Sequence, residues 1–314
     1  MSKYLPDFID SLKASWKLFW SKLKPLFLLS LAETAFISGG SAIIILLTTL
    51  LSLDNLSKLF SSNFSATKVL PTLASSLPQL SFFFVMTLLV VGVVSAIFSA
   101  AKIYCLSTDK SYSELFTFGK SKISRIFTSQ LYIGLLGFGG FWLFGIPGLL
   151  IFFLTSFTIY ELVFTNDSVV AALKRSVAIV WYNFWPLLGR YVLILLIIGI
   201  LRVLFSSNGD HGQVISSLSW IINTLSGWFL LSYSYLLYKH VLGKTPKNIK
   251  VNLVWIVIPA VVGWLAFFSL FYFGTKFLQS RGAFDQFWPK IEQMIQDNND
   301  FKMPDNLSSL GDNS

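Results

Sequence analysis

Seven long apolar stretches, near residues 26–53, 80–101, 127–146, 149–165, 186–206, 214–238 and 251–275, take up most of the chain and hold almost no charge. A helix needs about 20 apolar residues to cross roughly 30 Å of hydrocarbon, and a chain in lipid must satisfy its own backbone N–H and C=O groups. The pattern predicts an all-α membrane protein: a polytopic bundle of six core transmembrane helices plus a seventh. Only Gly145, Ile146, Pro147 and Gly148 separate the third stretch from the short fourth one, so two readings stand there, a full crossing or a re-entrant hairpin. Composition agrees, with 54% hydrophobic residues, 12% charged and 31 Phe, against roughly 25% charged residues in soluble domains.

The basic residues set the expected topology. Lys3, Lys13, Lys17, Lys22 and Lys24 precede the first span, and Lys102, Lys110, Lys120, Lys122 and Arg125 fall between the second and third. Lys174 and Arg175 follow the fourth span, and Lys239, Lys244, Lys247 and Lys250 follow the sixth. The alternate loops hold only Lys58, Lys68 and Arg202. Positively charged loops stay in the cytoplasm, which predicts a multi-pass protein of the cytoplasmic (inner) membrane with its N-terminus inside and its C-terminus outside. No cleavable signal peptide is expected, because the first apolar segment is too long for an h-region. Basic residues placed this way account for the net charge of +9 without a phosphate-binding stripe, so no nucleic-acid partner is expected.

Residues 11–28 align with 172–189 at a constant offset: Leu12 on Leu173, Lys13 on Lys174, Ser15 on Ser176, Trp20 on Trp181, Pro25 on Pro186 and Leu26 on Leu187. Both are basic, aromatic-rich amphipathic segments ending at a proline, and 112–125 precedes the third span in the same manner. Such helices rest in the plane of the interface, and proline at a helix start costs no backbone donor. The expected organisation is thus a module over 1–243 of three hairpins, each led by a cytoplasmic amphipathic interfacial helix (5–24, 112–125 and 168–184). An additional span over 251–278 follows, then 279–314, comprising a short amphipathic helix around 284–295 and an acidic, disordered tail. Lys13, Lys17, Lys22, Lys174 and Arg175 are the candidate contacts to anionic lipid headgroups.

Ile146-Pro147-Gly148, an apolar span ending at Glu161, the turn Asn166-Asp167-Ser168, then Ala172-Leu173-Lys174-Arg175-Ser176 and an aromatic run resemble the membrane domain of the glycerophosphodiester phosphodiesterase family and its stand-alone bacterial relatives. The resemblance is sharpest over 146–189 and looser over 1–243. It implies a six-helix membrane module with an amphipathic helix after the fourth span. In the multidomain relatives a separate soluble domain performs the hydrolysis, and no such domain is expected within these residues. The seventh span and the polar tail depart from the six-helix pattern.

Catalytic constellations are missing from the sequence. His211 and His240 fall on opposite faces of the expected topology, which excludes a two-histidine metal site or a Ser-His-Asp triad within one chain. Gly243-Lys244-Thr245 lacks the first glycine of a phosphate loop, since Tyr238 stands there. Gly39-Gly40-Ser41 lacks the closing glycine of a nucleophile elbow. The lone Cys105 offers no disulfide or redox pair and reads as a small buried hydrophobe. Gly134, Gly137, Gly139 and Gly140 suit close helix packing. No enzymatic activity, metal or cofactor is expected.

Charged residues within the spans are the sharpest pointers, since each costs ~2.5–3.5 kcal/mol at a helix centre on insertion scales. Glu33 lies ~10 Å along the axis past Leu26, on a face shared with Ser30, Thr34, Ser38 and Ser41. Ser216, Ser219, Asn223 and Ser226 form a comparable stripe in the sixth span. Glu33, Lys102, Glu161 and Arg190 all fall on the cytoplasmic half and are the candidate polar cluster, with Arg190 the expected partner of Glu33. The competing reading has Lys102 and Arg190 reaching the headgroups, Glu161 pairing with Lys174 or Arg175 at the surface, and Glu33 serving as a helix–helix hydrogen-bonding device. The expected function is a non-catalytic membrane scaffold or lipid-interacting module, in contact with the bilayer and with an unidentified protein partner. The alternative is a transporter or lipid translocator using the charge cluster.

Overall fold

The computed structural model describes residues 6–61, 66–205, 212–246 and 251–280, with side chains outside 48–80, 204–220, 275 and 278–280. The expected helix at 284–295, the acidic tail, His211, Lys247, Lys250 and the side chains of Ser216 and Ser219 lie outside the described residues. Among the described residues every regular element is helical: α1 (Phe8–Ser61), α2 (Ala66–Ser107), α3 (Tyr112–Ser121), α4 (Ile123–Phe141), α5 (Ile146–Leu154), α6 (Thr158–Phe164), α7 (Val169–Tyr182), α8 (Phe184–Phe205), α9 (Gly212–Leu242) and α10 (Val254–Ser280).

Among the described residues, five helical stretches are long and apolar enough to cross a membrane: Phe8–Leu47, Ser81–Ser107, Ile146–Phe164, Phe184–Val203 and Val254–Gly274. The third expected span, α4, is not among them, and the sixth, 214–238 in α9, begins among residues whose side chains are not described. Both helices carry small or polar residues on their buried faces. Ser129, Gly137, Gly139 and Gly140 of α4 and Ser232, Tyr233, Ser234 and Tyr238 of α9 are buried, and polar or small residues that face protein do not need to be lipophilic.

The chain divides into two compact units, Met1–Ser41 with Leu88–Leu265, and Ala42–Thr87 with Ala266–Ser314. In the second unit the described side chains are largely exposed and apolar, among them Ile43, Leu46, Phe82, Phe84, Leu270, Phe271 and Phe273. Exposed apolar side chains of this kind suit a lipid solvent.

In the first unit the core gathers on α6, α7 and α9, with Phe157, Leu162, Ile179, Val180, Tyr233 and Tyr238 fully or almost fully buried. Helix α7 packs its apolar face against protein. Ala172, Leu173, Ser176, Val177, Ile179 and Val180 are enclosed by protein, and Lys174, Trp181 and Tyr182 are left on the exposed side. The N-terminal part of α1 departs from expectation, because the helix continues through Pro25 and no separate interfacial helix ends there.

The fourth span is broken. Helix α5 stops at Leu154 and α6 starts at Thr158, and Ser176 of α7 bridges the gap. Its hydroxyl donates to the Leu154 carbonyl at 3.0 Å and accepts the Phe157 N–H at 3.1 Å. Non-helical backbone at such a position needs protein partners for its freed groups, and Ser176 supplies one donor and one acceptor.

Glycines set the spacing of α4. A side chain at Gly140 would meet the Gly148 backbone nitrogen at 2.9 Å, and one at Gly148 would meet the Gly137 carbonyl at 2.7 Å, so α4 and α5 touch backbone to backbone. On its other side a side chain at Gly139 would come within 2.4 Å of the Ala260 carbonyl, and Trp264 Nε1 donates to the Leu135 carbonyl at 3.0 Å. Gly134 has open space around it and plays no such part. The α4–α5 turn places Phe144 at φ 60° and Gly145 at φ 77°, in the left-handed region, where a phenylalanine is uncommon.

Helix α3 starts with a capping box, in which Ser111 accepts from the Glu114 N–H and the Glu114 carboxylate accepts the Ser111 N–H at 3.0 Å. These hydrogen bonds, the backbone one foremost, hold the Glu114 carboxyl below its usual range. At the other end of α3, Lys122 reaches the Thr165 carbonyl at 3.1 Å and Asn166 Oδ1 at 3.2 Å. Partial burial, and secondarily Arg125, lower its ammonium from the usual lysine value.

Candidate functional site

A charge inside an apolar helix bundle must find a partner or water. Glu33 on α1 finds Lys102 on α2: the Lys102 ammonium donates to Glu33 Oε2, and the two side chains are 15% and 19% exposed. The pair is one wall of an open cavity of about 620 Å³ lined by α1, α2, the α5–α6 segment and α9. Further polar groups reach it from Ser30, Thr34, Ser99, Ser156, Tyr160, Asn223 and Thr224. Trp228 Nε1 donates to Ser30 Oγ at 2.8 Å and fastens α9 to α1 beside the charges. The Tyr160 hydroxyl donates to the Leu231 carbonyl at 3.3 Å. Ser156, in the break between α5 and α6, lines the cavity and has a buried hydroxyl oxygen. Phe27, Leu31, Ile221 and Leu225 also line the cavity and are exposed, so its apolar side reaches the outer surface of the first unit.

The four charges singled out in the sequence do not form one cluster. Arg190 is not the partner of Glu33; its guanidinium donates to the Pro6 carbonyl and to Ser11 Oγ, the latter at 3.0 Å. Two donors of the guanidinium fork thus reach Pro6, just ahead of α1, and Ser11 in its first turn, and Arg190 thereby ties α8 to the start of α1. Glu161 is also separate. It is 2% exposed, lies beside Tyr238 with Arg175 as its closest cationic influence, and neither its Oε1 nor the Tyr238 hydroxyl completes a hydrogen bond. The surface pairing weighed for Glu161 is excluded by this burial, and Lys102 does not extend to the headgroups.

Of the expected headgroup contacts, Lys13, Lys17 and Lys174 are exposed. Lys22 is not: it is 9% exposed, donates to the Thr108 carbonyl at 2.6 Å and pairs with Asp109 at 2.5 Å. Arg175 is turned inward too, onto the carbonyls of Pro246 at 2.8 Å and Thr245 at 3.3 Å. Both cations close loop ends of the first unit, where peptide carbonyls left over by helix termini need donors.

The stripe reading is half realised. Ser30, Glu33 and Thr34 do share the cavity with Asn223, while Ser226 faces a different groove. Sequence reasoning passed over Ser99, Ser156 and Tyr160, although a serine inside an apolar run is a legible signal. It had no means of finding Trp228, whose role depends on α9 crossing α1. No group of three or more His, Cys, Asp or Glu residues among the described residues is placed to hold a metal ion. Comparison with protein-family models, curated proteins and solved structures finds no match for this chain.

Proposed function

We propose that this chain is a non-catalytic, lipid-interacting module of the cytoplasmic membrane, with six core helices and a seventh, which takes the polar head of an amphiphile into the Glu33–Lys102 cavity. The observation that carries the reading is an ion pair on the wall of a cavity whose other side is apolar and exposed. One face satisfies charge and hydrogen bonds, and the other leaves an acyl chain in contact with lipid. The resemblance over 146–189, to a membrane domain whose multidomain relatives carry hydrolysis on a separate soluble domain, is in keeping with this. Lipidomic mass spectrometry of the purified chain tests it. A defined lipid class should co-purify with the wild type and be depleted in Glu33→Gln/Lys102→Met; an unchanged lipid profile in that variant overturns the reading.

A second reading, lipid translocation, is favoured by the broken α5–α6 span, because interrupted helices beside a binding cavity are a recurring feature of transporters. Liposomes carrying the chain and a fluorescent lipid separate the two. Translocation predicts that dithionite quenches fluorophores of both leaflets, whereas a binding module leaves the inner leaflet protected.

A further inference from the structure

On the other side of the crossing between α1 and α9 lies a second cavity, of about 470 Å³, bounded by α1, α8 and α9. Leu225 of α9 is the one residue that lines both, so the two are neighbours with separate walls. The second is made of carbon almost throughout: Trp16 and Phe19 from α1, Ile194 and Ile198 from α8, Ile222 and Phe229 from α9. Its single charged lining residue is Lys13, which is exposed, and Lys17 is exposed one turn further along α1. Trp16 and Trp20 line the groove and are each 54% exposed, as tryptophans are where they sit at the level of lipid headgroups.

From this geometry we infer a binding site for an anionic phospholipid, its phosphate at Lys13 and Lys17 and one acyl chain in the groove between α1, α8 and α9. An uncharged slot admits any hydrocarbon. A cation at its mouth, held on a helix whose tryptophans mark the interface, selects for negative charge. The site is independent of the Glu33–Lys102 cavity, which presents both signs of charge.

The test uses the full chain in detergent, titrated with phosphatidylglycerol, with phosphatidylcholine of the same acyl chains, and with glycerol phosphate, bound copies being counted by native mass spectrometry. Phosphatidylglycerol should be retained over phosphatidylcholine, and Lys13→Gln and Lys17→Gln should each weaken its retention about fivefold. Ile198→Trp, which fills the groove, should reduce both lipids. Glycerol phosphate should not bind. Equal retention of the two lipids, or binding of glycerol phosphate as tight as that of the lipid, overturns the proposal. Should Ile198→Trp fail to fold, bromine-labelled phosphatidylglycerol is added to the wild type and to Trp16→Phe/Trp20→Phe. Quenching that is no smaller in that variant places the chain elsewhere and sinks the site.

Discussion

Residues 11–28 and 172–189 carry the same residues at six aligned positions and share much of their burial, yet they build different backbones. Ser15 and Ser176 are both fully buried, as are Leu26 and Leu187, while Trp20 and Trp181 are both exposed. In the first segment the helix runs on through Pro25. In the second it breaks at Asn183, and α8 begins with Pro186 in its first turn. Proline removes one N–H in each case, so proline alone does not decide the outcome. The residue three positions earlier does. Asn183 Nδ2 donates to the Ile179 carbonyl at 3.0 Å and leans on Thr245 Oγ1 at 3.5 Å, closing the end of α7. Its counterpart Lys22 sends its ammonium away to Thr108 and Asp109, which leaves α1 nothing with which to cap a break.

The largest contrast is expected at the aligned serines. Ser176→Ala strips a buried donor and a buried acceptor of their partner in the α5–α6 gap and should cost about 2–3 kcal/mol. Ser15→Ala removes only a bond to the Ser11 carbonyl in its own helix and should cost under about 0.5 kcal/mol. Denaturant-induced unfolding in mixed micelles measures both, and equal losses would mean that Ser176 does not hold the gap.

The prolines come next. Pro25→Ala should stabilise the chain by roughly 1–2 kcal/mol, because it restores a helical hydrogen bond in the interior of α1. Pro186→Ala, at a position where proline is tolerated, should stay within about 0.5 kcal/mol. A reversed order would place the real break in α1.

Asn183→Leu should cost about 1 kcal/mol by leaving the Ile179 carbonyl without its side-chain donor. Lys22→Met should cost a similar amount or less, since Asp109 is almost fully exposed and exposed pairs contribute little. The charge reversal that sharpens this is Asp109→Lys, which should hurt only when Lys22 is present.

The smallest effect is a pH dependence that separates two helix starts. Glu114 is held below its ordinary carboxyl value by Ser111, so the capping box of α3 contributes fully above that ordinary value, and its contribution fades as pH falls through the lowered one. Ser168 caps α7 through the Ala171 N–H at 3.3 Å with no acid in the motif, and that start should be indifferent to acid. NMR titration should show the Glu114 carboxyl titrating at a higher pH in Ser111→Ala than in the wild type. An unmoved titration would detach it from the cap.

Part of the site was legible because polar groups in apolar runs stand out whatever the fold. Glu33, Ser30, Thr34, Lys102 and Asn223 were marked this way, and all five line one cavity. Pairing was not legible. Arg190 and Lys102 are both cations on the same expected half of the membrane, and choosing between them depends on which helix lies against α1 at Glu33. The break at Thr155–Phe157 escaped notice for a related reason: hydropathy across 149–165 reports that the stretch is apolar and carries no record of the serine, 19 residues beyond Phe157, that satisfies the freed backbone.

What the chain's own residues settle is that long apolar stretches form helices, that helices begin at Ser111 and Ser168, and that the glycine-rich stretch 134–140 lies where backbones come close, though not which of its glycines makes the contact. These depend on neighbours within a few turns, and local sterics and hydrogen bonding are written in local sequence. What only the tertiary structure decided is which cation neutralises Glu33, that Lys22 and Arg175 serve loops in place of headgroups, that one face of α7 is buried against protein, and that α1 runs on through Pro25 while Pro186 lies in the first turn of a new helix. The partners of Lys102, Lys22 and Arg175 lie dozens of residues away, and a buried polar group takes whichever partner the packed helices bring within reach.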